Sequence, residues 1–335
     1  MSRKVKLVGL AALGALVLVG TGARALEGEG SIAQTQKENN DRIIAIQHYG
    51  GVRKSTGEVT VTYYGASAFK ITSPRGVEIF ADPWRNDPTG VWGIWYQMEM
   101  PITTTDVAVI THAHFDHDGY NRLRAGMILD RMSGTFELGD VKIIGIAEKH
   151  VCVPQGKYSY RAAIINLLHD DPCEPHDTMQ WDNTLFVIET GGLRFLVWGD
   201  NRQNPPQDVW DRVGNIDVAF LAVSDDGHIL SPHWTDVVAQ KMNAKVVIPC
   251  HYAVKGISVP EAGGLESADK WVMSHEHKIL DSATTTFTPD GVKGLKQFVV
   301  YFGGHVPFPV SGPPKPDTTN PQVPDPVSAW ERFKN

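Results

Sequence analysis

Four side chains able to hold a metal ion fall within six residues in Thr111-His112-Ala113-His114-Phe115-Asp116-His117-Asp118: His112, His114, Asp116 and His117. A lone histidine is ordinarily a packed imidazole with one hydrogen bond, but four donors spaced HxHxDH behind an apolar strand are not explained that way. In an extended segment side chains alternate with period two, so His112 and His114 project to one side. The turn that follows can swing Asp116 and His117 towards a second ion. Two such ions sharing a water as hydroxide would attack an ester, lactone or phosphodiester, with no Ser or Cys nucleophile needed.

Zinc takes about four donors, so a two-ion site needs roughly three more side chains from elsewhere in the chain. The apolar run Leu193-Arg194-Phe195-Leu196-Val197-Trp198 ends in Gly199-Asp200, and Val246-Val247-Ile248-Pro249-Cys250 ends in His251. Both read as strands that deliver one donor each at a sheet edge. Cys250, next to His251, alternates to the other side of its strand and reads as core packing.

The elements needed to position these groups are visible in the patterning. Residues 59–63, 68–72 and 77–80 alternate and are β-branched around a Ser73-Pro74-Arg75-Gly76 turn, which predicts a β-meander. Short apolar runs at 107–110, 141–146, 185–188, 193–198, 218–223 and 246–249 predict further strands, several followed by helical patterns. Ser231-Pro232 before residues 234–242 has the form of a helix start, an N-cap followed by proline at the first helical position. Strands mixed with helices over about 250 residues predict layered α/β architecture.

The chain has 335 residues, 42% of them hydrophobic, enough for a large core, and a formal charge of -7 that would repel a phosphate backbone, which argues against nucleic acid as a partner. Arg3, Lys4 and Lys6 precede the uncharged run 7–20, and Ala23-Arg24-Ala25 supplies small residues where a signal peptidase reads. This predicts a secretory signal over residues 1–25, cleaved after Ala25, a periplasmic or secreted protein, and no stable membrane anchor. Residues 26–57 read as a polar arm. The segment from Val306 onward is Pro-rich and reads as an extended tail.

The motifs, in this order, resemble the metallo-β-lactamase superfamily. The segments Gly65-Ala66-Ser67-Ala68-Phe69, Phe80-Ala81-Asp82-Pro83-Trp84, Gly199-Asp200 and Ile248-Pro249-Cys250-His251-Tyr252 resemble its ascorbate-6-phosphate lactonase and N-acyl-phosphatidylethanolamine phospholipase D-like branch. The resemblance spans about residues 58–304. It implies a four-layer αββα sandwich and a metal-dependent hydrolase acting on a small-molecule substrate, with two divalent ions, Zn2+ first and Mn2+ or Fe2+ as alternatives. It implies that His112 and His114 with a third histidine hold one ion, that Asp116, His117 and His251 hold the other, and that Asp200 bridges them. Asp116 and Asp200 would also balance the ionic charge and orient the hydroxide. The family places the third histidine directly after a strand. Residues 136–150 have that form and point to His150, with His169 and His176 as rivals. With His150, residues 151–182 become an insertion that folds over the metals, within which Cys152 and Cys173 can pair in an oxidising compartment.

Two further groups are read from their positions. His228, after the strand 218–223 in Asp225-Asp226-Gly227-His228, is expected to donate a hydrogen bond to the reacting group. Trp84, Trp92, Trp95 and Tyr96 crowd one loop and suggest either an aromatic rim to the site for an apolar or ring substrate or packing in the core or a dimer. The chain departs from the branch at Ala66, where many members carry a histidine. Three other readings share the scaffold: a β-lactamase, against which Asp200 stands because those enzymes carry Cys or Ser there; a mononuclear iron dioxygenase; and a non-catalytic metal-binding protein.

Overall fold

A computed structural model describes residues 57–90, 92–152, 160–169, 171, 173, 182–260 and 262–310, with Lys37 and Asn40. The expected signal segment, nearly all of the arm, most of the Pro-rich tail and His176 lie outside the described residues.

The first sheet is built from the predicted meander, β1 (Val59–Tyr63), β2 (Phe69–Thr72) and β3 (Glu78–Ala81), continued by β4 (Thr103–Ile110) and β5 (Leu123–Asp130). A late strand, β13 (Thr284–Phe287), pairs with β1, giving the order β13-β1-β2-β3-β4-β5. The second sheet contains β6 (Gly134–Leu138), β7 (Val141–Glu148), β8 (Asn183–Thr190), β9 (Leu193–Val197), β10 (Val218–Ala222), β11 (Val246–Cys250), β12 (His277–Ile279) and β14 (Phe298–Tyr301). Its order is β12-β14-β11-β10-β9-β8-β7-β6. Strands buried on both faces read as continuous apolar runs; every residue of β10 and β11 is buried.

The inward faces of the two sheets form one core. Phe69 of β2 meets Phe220 of β10 with ring centroids 4.4 Å apart, and Tyr63 of β1 meets Phe302, just past β14, at 5.5 Å. Helix α1 (Tyr160–Leu168) lies in the segment between β7 and β8. Helix α2 (Gln207–Val213) packs on β7 and α3 (Pro232–Lys241) on β10, while α4 (Asp269–Met273) precedes β12. The predicted start of α3 is in place: the Ser231 hydroxyl accepts from Trp234 N, with Pro232 at the first helical position. This is the α/β sandwich that the resemblance implies.

The direction of the strands decides where chemistry can occur. β3 and β4 run parallel, as do β9, β10 and β11, and β7 shares their direction because two antiparallel pairings through β8 restore it. The carboxyl ends of these strands therefore open at a common edge, the usual place for ligands in parallel sheets.

Candidate metal centre

Each of those ends carries a polar residue. Asp82 follows β3, His112 follows β4, His150 follows β7, Asp200 follows β9, His228 follows β10 and His251 follows β11. His114, Asp116 and His117 come from the turns just beyond His112.

Cross-links between the strand ends hold the edge together. Thr184 N donates to Thr111 O at 2.8 Å and His251 N to Ala66 O at 2.9 Å, each joining one sheet to the other. Ala66 thus serves through its carbonyl. Although β8 separates β7 from β9, the loops beyond them are laced directly. Val151 N donates to Asp200 O at 2.8 Å, Arg202 N donates to Lys149 O at 2.9 Å, and the Arg202 guanidinium pairs with buried Glu148. That lacing sets His150 beside Asp200. Gly199 adopts φ 61, and a Cβ there would come within 2.5 Å of Thr111 Oγ1, so only glycine lets Asp200 approach so closely.

The result is two groups of four donors that share one carboxylate: His112, His114, His150 and Asp200, and Asp116, His117, Asp200 and His251, with the donor atoms within 4.8 Å of one another. Asp200 lies 3.8 Å from His112 Nε2, 3.5 Å from His150 Nε2, 3.2 Å from His117 Nε2 and 3.4 Å from His251 Nε2. His251 Nε2 is also 3.0 Å from Asp116 Oδ2. His169, the rival to His150, is exposed at the end of α1 and belongs to neither group.

The partners on the outer nitrogens decide which lone pairs face inward. Asp82 is fully buried, and its carboxylate accepts from Thr111 N at 2.8 Å, Thr111 Oγ1 at 2.8 Å and His117 Nδ1 at 3.0 Å. Having given its one proton to Asp82, the Thr111 hydroxyl can only accept from His112 Nδ1, 3.0 Å away. His150 Nδ1 donates to Val151 O at 2.6 Å. In their neutral forms three imidazoles therefore present a bare Nε2 to the cluster, the arrangement outer partners impose at metal sites. Those Nε2 atoms, of His112, His117 and His150, and Asp200 Oδ1 are buried and make no hydrogen bond. Orphaned buried acceptors are costly unless something binds them; nitrogen and carboxylate donors in groups of four suit a divalent ion. The residues fit the ions that the motif suggested. Asp82 was quoted above for its motif and given no task; its strand-end position was the available signal.

The electrostatics agree. Burial, helped by the neighbouring imidazoles, keeps His112 well below its ordinary pKa and His114 down at about 3. Burial opposes ionisation of Asp116, yet His117 and His251 outweigh it and bring it to about 2; Asp200 is lowered well below the carboxylate range against the same penalty by His251 and His117. Burial likewise opposes a charge on His117 and His251, but Asp200 and Asp116 outweigh it, raising His117 well above its ordinary pKa and His251 to about 10, so both rings carry a proton that a bound cation would displace. Two anionic carboxylates thus draw positive charge into a buried site, the field a cation requires.

Around the cluster is a pocket of about 190 Å³. His228 lines it outside both groups, stacked on His251 at 5.1 Å, and burial first and His251 second hold its pKa down at about 3, so it is neutral. Tyr160 of α1 places its hydroxyl 3.4 Å from His114 Nε2 and its ring 4.5 Å from that of His150. Cys152 and Cys173 are joined as a disulfide across the segment that carries α1. Of the four rim aromatics, Trp92 and Trp95 line the pocket, whereas Trp84 and Tyr96 are buried against each other with centroids 4.4 Å apart. The first pair thus takes the rim position and the second the core packing that the sequence left open: Trp84 turns inward, its indole N–H donating to Tyr64 O. Cys250 is buried, as its alternation predicted.

A model of the β-lactamase superfamily domain matches residues 60–251. The chain is 35% identical over 228 residues to a protein of Koribacter versatilis named UPF0173 metal-dependent hydrolase, covering 65% of this chain and 94% of that one. It is 25% identical over 217 residues to a protein of the same name from Thermodesulfovibrio yellowstonii, covering 59% and 80%. A crystal structure of a metallo-β-lactamase superfamily member from Thermotoga maritima aligns with 22% identity and a TM-score of 0.49, covering 72% of this chain and 98% of that chain.

Proposed function

The chain belongs to the β-lactamase superfamily, and from that premise we propose that it is an exported metal-dependent hydrolase with two divalent ions, cleaving an ester, lactone or phosphodiester. The observation that carries this reading is the pair of four-donor groups sharing Asp200. His112, His114, His150 and Asp200 would hold one ion and Asp116, His117, Asp200 and His251 the other. The nitrogen and carboxylate donors favour Zn2+, with Mn2+ or Fe2+ as the alternatives. When bound, such ions supply Lewis acidity to a carbonyl or phosphoryl oxygen and acidify water near neutral pH.

The chain's own residues provide the rest. Asp116 and Asp200 hold the negative charge that balances the site and can orient an attacking water. Asp82 and Thr111 keep His117 and His112 in the tautomers that face inward. Neutral His228, at the pocket wall, has a ring N–H for the oxygen on which charge develops. Support for export comes from the charged-apolar-small pattern of residues 1–25 and from the Cys152–Cys173 disulfide, which an oxidising compartment allows. The remaining divisions of the chain are a catalytic domain at 58–305 between an arm at 26–57 and a tail at 306–335.

Metal analysis of the purified mature protein, followed by assays on lactones, phosphodiesters, thioesters and β-lactams, tests the reading. Two zinc or manganese ions per chain and turnover lost in His114→Ala are expected. A single iron ion would replace this reading with a dioxygenase. Bound metal without any turnover would make the chain a binding protein. Sequencing of the mature N terminus should begin at Leu26.

A further inference from the structure

The loop after β3 brings to the ion pocket one group that the donor sets do not use. Arg85, just past Asp82-Pro83-Trp84, lines the pocket together with His114, Asp116, Asp200 and His228. Its main chain is locked to the turn that carries the ligands. Arg85 N donates to Phe115 O at 2.9 Å, and Gly119 N donates to Pro83 O at 2.6 Å. A Cβ on Gly119 would come within 2.7 Å of the Trp84 carbonyl, so the two backbones are in direct contact. The guanidinium is therefore rooted at a fixed place relative to Asp116 and His117.

Its outer end is held on one side only. Arg85 Nε donates to Asp118 Oδ1 at 2.9 Å, and Asp118 N in turn donates to His114 O. Elsewhere in this chain an arginine that serves as a strut grips both oxygens of its carboxylate: Arg131 on Asp130, Arg161 on Asp171 and Arg202 on Glu148 each use Nε and Nη2. Arg85 departs from that pattern. Its two terminal nitrogens, which carry four of the five N–H groups of a guanidinium, make no hydrogen bond to any described residue. Asp118 has thus already taken up the rotamer freedom of a long side chain while leaving the planar fork open. A donor prepared in this way captures an oxygen at little further entropic cost.

Resting on the hydrolase reading above, we propose that Arg85 is a substrate-binding residue, its terminal N–H groups donating to an oxygen of the substrate beside the bond that is cleaved. The chemistry it recognises is an oxygen acceptor, which the carbonyl of an ester or lactone and the phosphoryl group of a phosphodiester both present. Lysine is no substitute, because an ammonium engaged by Asp118 has no rigid second pair of donors to offer.

The test compares the zinc-loaded full chain with its Arg85→Lys and Arg85→Gln variants on p-nitrophenyl acetate, γ-valerolactone and bis(p-nitrophenyl) phosphate, each against the chelated protein. The three arms decide whether the bound oxygen belongs to an ester, a lactone or a phosphodiester. On whichever substrate the unaltered chain cleaves, kcat/KM should fall about 10- to 100-fold in both variants, the scale of a hydrogen bond to a charged group. Zinc content should stay at that of the unaltered chain, because a partly exposed ion pair made through one bond contributes little to the fold. A second readout needs no turnover and no variant. Phenylglyoxal, which reacts with open guanidinium groups, should label Arg85 in the zinc-loaded chain, as located by peptide mass. The product of the cleaved substrate, whether acetate, 4-hydroxypentanoate or p-nitrophenyl phosphate, should slow that labelling about threefold at twice its Kd, in proportion to the chain left unbound. Unchanged kcat/KM in both variants, or labelling indifferent to product, overturns the assignment and leaves metal-dependent hydrolysis standing. Loss of zinc from Arg85→Lys also overturns it, making Arg85 a strut of the ligand turn. Absence of zinc-dependent turnover on all three substrates overturns the hydrolase reading and the assignment together.

Discussion

Replacing Asp82 with Asn removes one charge and changes almost no volume, yet it should disturb both ion sites. The left-handed backbone at Asp82, φ 46, suits Asn as well as any non-glycine residue, so strain would not be the cause. With the amide oxygen where Oδ1 accepts from Thr111 N, the NH2 group replaces Oδ2, which now accepts from Thr111 Oγ1 and His117 Nδ1. His117 loses its acceptor outright. Thr111 can adapt only by turning its hydroxyl to accept from the new NH2, and it then donates to His112 Nδ1. That moves the His112 proton to Nε2 and hides the lone pair meant for an ion. Two charge-assisted hydrogen bonds are worth about 1.5–3 kcal/mol each, and the rotated hydroxyl recovers part, so a net loss of about 3 kcal/mol is expected. For a domain of this size that lowers Tm by roughly 6–12 °C. Affinity should drop about 10- to 100-fold at each site, as outer-partner losses do elsewhere. Competition titration against a chromophoric chelator, with thermal melts of the chelated protein, measures both quantities. A folded Asp82→Asn protein that binds two ions with unchanged affinity would refute the tautomer argument.

Other perturbations separate the roles of neighbouring groups. His228→Gln should lower kcat by about 100-fold, the scale of a positioned donor, while elemental analysis still finds two ions; loss of an ion would make His228 a ligand instead. Reducing the Cys152–Cys173 disulfide frees a loop with a separation of 21 residues. It should cost about 3 kcal/mol in a denaturant titration and reduce turnover by releasing Tyr160 from His114, with metal content unchanged; turnover at the oxidised rate would disconnect the disulfide from the site. Gly199→Ala sets a Cβ within 2.5 Å of Thr111 Oγ1 and 2.8 Å of Asn183 Oδ1 at a φ of 61. It should destabilise the fold by about 1–3 kcal/mol and weaken ion binding, and normal zinc content with a normal Tm would contradict the close approach.

Much of this molecule is legible along the chain. Strands such as β10 and β11 are continuous apolar runs because both their faces are covered, and HxHxDH is a local pattern whose spacing brings its own donors together. β5 was not legible: Leu123-Arg124-Ala125-Gly126-Met127-Ile128-Leu129-Asp130 has one β-branched residue and becomes a strand by pairing with β4. β12, three residues long, likewise owes its state to its partner, whereas β13 (Thr-Thr-Thr-Phe) and β14 (Phe-Val-Val-Tyr) carry the β-branched and aromatic signature of strands along the chain. At the site, Gly199-Asp200 and Cys250-His251 could be marked as strand ends.

Their meeting could not be read along the chain. His251 and Asp116 are 135 positions apart in sequence and 3.0 Å apart in space, a distance set by the order and direction of strands in two sheets. The same holds for Trp84 turning into the core while Trp92 and Trp95 reach the pocket, and for Asp82 holding two histidines at once. Residue type and local spacing determined which groups could bind an ion. Which nitrogen of each imidazole faces inward, and which carboxylate stands between the groups, was decided by the tertiary structure, because both depend on hydrogen bonds to strands remote in sequence.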